Sequence, residues 1–157
     1  TFIEMMIPHH QGAIEMAKMA TSRAKSPEVK KLAQSIIKDQ NREIQQMQTW
    51  YKQWYGTEVP KTDMNMQMHH SMGQGMMTVM QHQEMMNREM MVALKNAANF
   101  DREFLRQMIE HHQMALMMAG MVVDSAAHPE TRKLAQSIIQ SQNAEINKMG
   151  QLSQVIK

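Results

Sequence analysis

Histidine and methionine are the residues of this chain whose types and spacing can do chemistry. Met5-Met6-Ile7-Pro8-His9-His10-Gln11-Gly12 sets a His-His pair among thioethers, and Gln107-Met108-Ile109-Glu110-His111-His112-Gln113-Met114 sets another. A third pair lies in Met64-Asn65-Met66-Gln67-Met68-His69-His70-Ser71-Met72. Imidazole beside thioether is a donor set for a soft transition metal, and copper suits it best. Thioethers favour Cu(I), with Ag(I) as a surrogate, whereas histidine sites take Cu(II) as well.

Adjacent residues on a helix point about 100° apart, so one His-His pair does not chelate one ion by itself. Same-face neighbours are three or four apart: Met6 with His10, Met5 with His9, Met108 with His112, and His111 with Met114. On a helical projection His10 falls at the centre of an apolar stripe with Ile3, Met6, Ile7, Ala13, Ile14 and Ala17, while His9 falls at its edge. His10 and His112 are therefore expected to face the core, either as interior ligands or hydrogen-bonded to Gln40, Gln142, Glu43 or Glu145. His9 and His111 are expected to be outer, exchangeable ligands. Met66, Met68, His69, His70 and Met72 make a separate, softer trap. His82 with Met86 is a further candidate, and Met118 joins Met114, Met117 and Met121 in a sulfur-rich face beside His111. Met76, Met80, Met86 and Met90 read better as core than as ligands. His128 reads as an exposed helix cap, and Trp50, Tyr51, Trp54 and Tyr55 as the packed end of a helix.

Composition narrows the alternatives. Of 157 residues 22 are Met, against three Phe, two Trp and two Tyr, and a core of such flexible side chains specifies shape poorly. Packing alone does not account for that bias. The formal net charge is +2 and the basic residues are scattered, which gives no nucleic-acid footprint. No apolar run approaches the roughly 18 residues of a membrane span. Cysteine is absent, so there is no disulfide, thiolate site or redox dithiol. Thioether and imidazole bind copper without forming disulfides, which suits an oxidising compartment. The chain opens inside an apolar helical pattern with no signal peptide ahead of it, and reads as a processed rather than a cytosolic chain. No Glu-x-x-His pair of a di-iron bundle, no His-Glu-x-x-His and no phosphate loop is found.

The elements that must position these residues are helices. Apolar periodicity predicts one over about 1–23 and a second from Ser26-Pro27-Glu28, a cap, N1 proline and first-turn acid, to about Trp54. Gly56 to Asp63 reads as a loop, 64–75 as irregular and 76–97 as a connector helix. A fourth helix is predicted from Phe100 to about Asp124, and a fifth from His128-Pro129-Glu130 to about Val155. A constant offset of 102, without gaps, superposes the first two helices on the last two. It matches His9-His10-Gln11 with His111-His112-Gln113, Lys31 to Ile37 with Lys133 to Ile139, and Glu43-Ile44 with Glu145-Ile146. Two helical hairpins of one design, 1–55 and 99–157, are thus joined by a Met-rich connector, 56–98. One hairpin cannot bury both its apolar faces. Two together make an all-α, antiparallel four-helix bundle with pseudo-two-fold character and a connector helix beside it, in a single helical domain over 1–157.

Met6-Ile7-Pro8-His9-His10-Gln11-Gly12-Ala13-Ile14-Glu15-Met16-Ala17 resembles the signature of a bacterial family of Met- and His-rich proteins of ferritin-like four-helix architecture, long labelled a domain of unknown function. With the Met-rich connector, the chain is similar to periplasmic copper-binding proteins of that family. The resemblance covers both repeats and implies Cu(I)/Cu(II) binding, a part in copper resistance, and an extracytoplasmic location. It carries over onto Met6, His9 and His10, and onto Met108, His111 and His112; Glu110 and Met114 stand where the motif has proline and glycine. The expected function is buffering, sequestering or shuttling of copper, with a copper-sensing or copper-exporting protein as a receiving partner. The competing readings are a Met-rich module that binds peptides or proteins, and a cuprous oxidase-like enzyme. Imidazole-bound metal is expected to leave as pH falls below roughly 6.5.

Overall fold

The structure is a computed structural model that describes residues 2–60 and 74–156, with the backbone alone for 74–80. It has five helices: α1 Phe2–Arg23, α2 Pro27–Tyr55, α3 Gln74–Lys95, α4 Phe100–Gly120 and α5 Pro129–Val155. Their starts follow the sequence signals. Ser26 caps α2, its Oγ accepting from the Val29 amide, and Asn99 caps α4, its Oδ1 accepting from the Arg102 amide. Gly56 ends α2 in the left-handed region (φ 73°) and returns its amide to the Lys52 carbonyl, a conformation for which glycine carries no Cβ penalty. α4 is a turn shorter than the periodicity suggests. Its helical ladder ends at Gly120, and 121–125 form turns whose amides return to Met117, Ala119 and Val122.

The first hairpin is α1–α2 and the second α4–α5; α1 and α4 pack against each other along the bundle seam. The pairing is antiparallel. The second half of α1 shares one core cluster with the start of α2, the start of α4 and the end of α5; the first half of α1 shares another with the end of α2, the end of α4 and the start of α5. Ala13, Ala17, Leu32, Ile36, Phe104, Leu105 and Met108 represent the first cluster, and Ile3, Met6, Ile7, Met47, Ala115 and Ile138 the second. Eight side chains that are not apolar come between the two clusters, two on each of α1, α2, α4 and α5.

The connector helix α3 lies over the α1/α4 seam, in contact with both helices. Leu94 joins the first core cluster with Met90 and Met91 against it. Arg23 Nη1 donates to the Lys95 carbonyl at 2.9 Å. Asn87 sits on Gly12, where an added Cβ would stand 2.8 Å from Asn87 Nδ2. These contacts set α3 parallel to α1, and Gln83, one turn before Asn87, comes level with Pro8 and His9. Gly12 is therefore glycine for close approach. At the equivalent position of the second repeat the chain carries Met114. Asp101 ties the hairpins together at one end: buried at the start of α4, it accepts from the Lys25 amide (2.9 Å) and the Ser26 amide (2.7 Å) of the α1–α2 turn.

A buried histidine layer as the candidate metal centre

The eight residues between the core clusters are His9, His10, Gln40 and Glu43 of the first hairpin and His111, His112, Gln142 and Glu145 of the second. Each is the repeat partner of another. They form one polar layer across the middle of the bundle, and all but the half-buried Glu145 are buried. α1 and α4 each contribute two consecutive histidines, because successive helical residues diverge by about 100° and so reach two different seams.

His10 and His112 look along their own hairpins. His10 Nε2 lies 2.5 Å from Glu43 Oε2, and His112 Nε2 lies 2.7 Å from Glu145 Oε2. Of the four partners considered for these inner histidines, the two acids are the ones that face their Nε2 atoms. Each keeps a buried Nδ1 without a partner.

His9 and His111 look across the α1/α4 seam at each other. Their rings stack at 3.7 Å between centroids with 26° between planes. They are 1% and 4% exposed, so the outer, exchangeable position expected for them is corrected: the edge of one helix's apolar stripe is the place where the next helix docks. Projection of α1 by itself does not contain α4 or α3. Neither ring nitrogen of His111 has a hydrogen-bond partner, and no side chain satisfies those of His9, although the His111 backbone stands close enough to favour the protonated His9 ring a little. Burial, reinforced by the neighbouring imidazoles, holds the His9 pKa well below the usual value and brings His111 down to about 3. Both rings are neutral at physiological pH, with a lone pair free on each. Protons compete for the lone pairs of these two rings only in acid stronger than the pH 6.5 of a free imidazole.

The remaining candidates fall in three groups. Met6 and Met108 are fully buried one turn from His10 and His112; Met5, Met114 and Met118 are half-buried. His82 is exposed and Met86 half-buried on α3. Met66, Met68, His69, His70 and Met72 lie outside the described residues. His128 starts α5 but caps nothing with its side chain; instead of an exposed cap it is half-buried, its ring on Trp54 at 3.9 Å and 2°. Among the described residues no three His, Asp or Glu side chains gather as a metal-binding group. The layer holds pairs: His10–Glu43, His112–Glu145 and His9–His111. A third donor from the described residues would have to be a thioether or an amide oxygen.

The family model described as Domain of unknown function (DUF305) matches residues 1–153. The chain belongs to that family. CopM in its Cu(II)-bound form is 49% identical, with a TM-score of 0.78, over 98% of this chain and 94% of CopM. CopM soaked with Ag is 47% identical, with a TM-score of 0.76, over 98% and 92%. A DUF305 fragment from Deinococcus radiodurans is 27% identical, with a TM-score of 0.77, over 97% and 92%. An uncharacterized protein of Acanthamoeba polyphaga mimivirus is 44% identical over 52 residues, 33% of this chain; the match spans about a third (34%) of that protein's own length.

Within this DUF305 chain, sequence reasoning missed the part of α3. Gln83 is 8% exposed, level with the histidines, and its Nε2 is another buried donor without a partner. The signal was present: Gln83 stands in the apolar face of the connector helix, where a polar side chain needs a polar neighbour.

Proposed function

We propose that this protein binds copper as cargo, Cu(I) above all, and buffers, sequesters or shuttles it outside the cytoplasm. On this reading the whole chain acts as one helical unit that contributes to copper resistance by holding metal rather than by turning it over. His9 and His111 are the central ligands, with Met6, Met108, His10 and His112 beside them. Met5, Met114, Met118, His82, Met86 and the Met66, Met68, His69, His70, Met72 segment supply further donors, and His-rich positions take Cu(II).

The observation that carries the reading is the facing pair of buried rings, His9 and His111, whose nitrogens no side chain satisfies. Burying an imidazole without a hydrogen bond costs about 1–3 kcal/mol, and a cation that accepts both lone pairs removes that cost. Nitrogen lone pairs lie in the ring plane, so a shared ion requires the two stacked rings to turn about χ2. The acids that hold His10 and His112 act as outer partners do for metal-binding imidazoles, fixing ring orientation and raising basicity. CopM, at 47–49% identity, has been solved with Cu(I), Cu(II) and Ag. Absence of cysteine supports an oxidising, extracytoplasmic setting, where thioether and imidazole stay intact.

Titration of the apo protein with Cu(I) under reducing conditions, followed by anomalous diffraction from silver-soaked crystals, tests the proposal. The expected result is Ag(I) density at His9 and His111, lost in the His9→Leu/His111→Leu variant. Absence of any Cu(I) or Ag(I) uptake, or silver found everywhere except this layer, would overturn it.

A further inference from the structure

The two repeats differ where the layer meets the outside. On α1, the face that continues from His9 carries Gly12, Glu15, Met16 and Met19; the repeat positions on α4, continuing from His111, are Met114, Met117, Met118 and Met121. In the first repeat Asn87 of α3 seats on Gly12 and Met16 is 2% exposed, within the core. In the second repeat Met117 and Met121 are each 69% exposed, and Met114 and Met118 half-buried. Gly12 and Glu15 are thus replaced by thioethers on the side where the face is open to solvent. Packing does not call for methionine at two positions so exposed, and solubility would favour Glu, Lys or Gln there.

The geometry points to a second, solvent-facing site for a monovalent soft cation, Cu(I) or Ag(I), formed by Met114, Met117, Met118 and Met121. Met121 caps α4 with helix-like backbone angles, so the seven steps from Met114 span about 10 Å of rise and these four side chains an arc of about 100°. Three- and four-residue spacing sets their Cβ atoms about 5–6 Å apart, and three rotatable bonds let each sulfur swing onto a common ion. Thioethers are neutral and soft, so such a site selects Cu(I) or Ag(I) over hard divalent ions without adding charge to the surface. Met118 packs against the second core cluster and anchors the inner side, while Met117 and Met121 face water. Met114 stands one turn from His111. An ion taken up by the outer pair has sulfur donors on the way to the buried imidazoles. That inward passage rests on the reading of the layer given above; the surface site itself does not.

Methyl-13C methionine NMR on the full chain, titrated with Ag(I), tests the site. The Met117→Leu and Met121→Leu variants assign the two methyl resonances by deleting them. Leucine is a good helix former at exposed positions, and circular dichroism verifies the fold. The expected result is that both methyl signals shift with the first equivalents of Ag(I), and that the Met117→Leu/Met121→Leu double variant binds one fewer Ag(I) per chain. If Ag(I) moves the His9 and His111 ring signals while these two methyls stay in place, the surface site is refuted and the copper-layer reading stands. Should the methyls respond and the rings stay silent, the surface site stands and the layer reading fails.

Discussion

A buried nitrogen with a partner and a buried nitrogen without one answer differently to mutation, and the layer offers both. Glu43→Ala removes the carboxylate that faces His10 Nε2 and leaves that nitrogen buried; a loss of about 1–3 kcal/mol in urea unfolding is expected. His9→Leu, at similar volume, removes two nitrogens that no side chain satisfies, so apo stability should stay level or rise by about 1 kcal/mol. Its Ag(I) affinity should fall at least about tenfold, a difference of about 1.4 kcal/mol read by competition with a chelator. A His9→Leu protein as destabilised as Glu43→Ala would mean that the ring is held for packing rather than for a ligand. The lowered pKa values make a second residue-scale prediction. Between pH 6.5 and about 3 the unfolded chain carries a proton on His111 that the folded chain does not, and His9 acts in the same direction. Stability contributed by these two rings is therefore full above pH 6.5 and declines as pH falls through that window, by up to about 1.4 kcal/mol per pH unit for each ring. Urea midpoints of the apo protein at pH 7.5, 5.5 and 4.5 should fall in that order, and the His9→Leu/His111→Leu variant should show a shallower decline. That the four histidines form one repeated set was legible from the offset of 102; that His9 and His111 are buried was not, because their cover comes from a helix about a hundred residues away.

At the scale of elements, the helices and their pairing were readable because caps, N1 prolines and the repeat agree with one another. α3 was readable as a helix but not as a cover, since its seat combines Leu94 in the first core cluster, the Arg23–Lys95 hydrogen bond and the close approach of Asn87 to Gly12, none of which periodicity announces. Gly12 is the place to test that seat. A leucine there drives a side chain into the Asn87 amide and should lift α3 from the α1/α4 seam while the two hairpins remain folded. Hydrogen exchange is the measurement: amides of α3 should lose protection by tenfold or more, which is about 1.4 kcal/mol of local stability, with α2 and α5 unchanged. Equal loss in all five helices would show that α3 is part of one cooperative unit. Asp101 tests the opposite end. Asp101→Ala strips the acceptor from the Lys25 and Ser26 amides and should cost about 1.5–3 kcal/mol, because hydrogen bonds to a charged acceptor are the stronger kind. The repeat does not foretell this contact: the two hairpins share a design, but among the described residues only the α1–α2 turn is held by an aspartate from the other hairpin.

For the molecule as a whole, the polar layer divides what would otherwise be one hydrophobic core into two clusters. Apolar residues of similar volume in its place would give a more stable bundle, as replacement of buried ion pairs often does. The chain instead carries four imidazoles, two acids and two glutamines through the centre of all four bundle helices, and the apo protein lacks the burial they displace. Metal is the agent that can return this stability. On the function proposed above, an ion between His9 and His111 would join α1 to α4, and so one hairpin to the other, in the folded state alone. By mass action, free Ag(I) at a hundred times the dissociation constant adds about 2.7 kcal/mol, provided the unfolded chain does not compete for it. For a chain of this length that is about 5–10 °C of melting temperature. Differential scanning calorimetry of apo and Ag(I)-loaded protein should show the rise, and a thiol chelator should reverse it. In the His9→Leu/His111→Leu variant the apo melting temperature should be level or higher and the rise from layer-bound silver absent. An Ag(I)-induced rise of equal size in that variant would place the stabilising ion on thioethers instead, and would separate the two classes of donor that this sequence brings together.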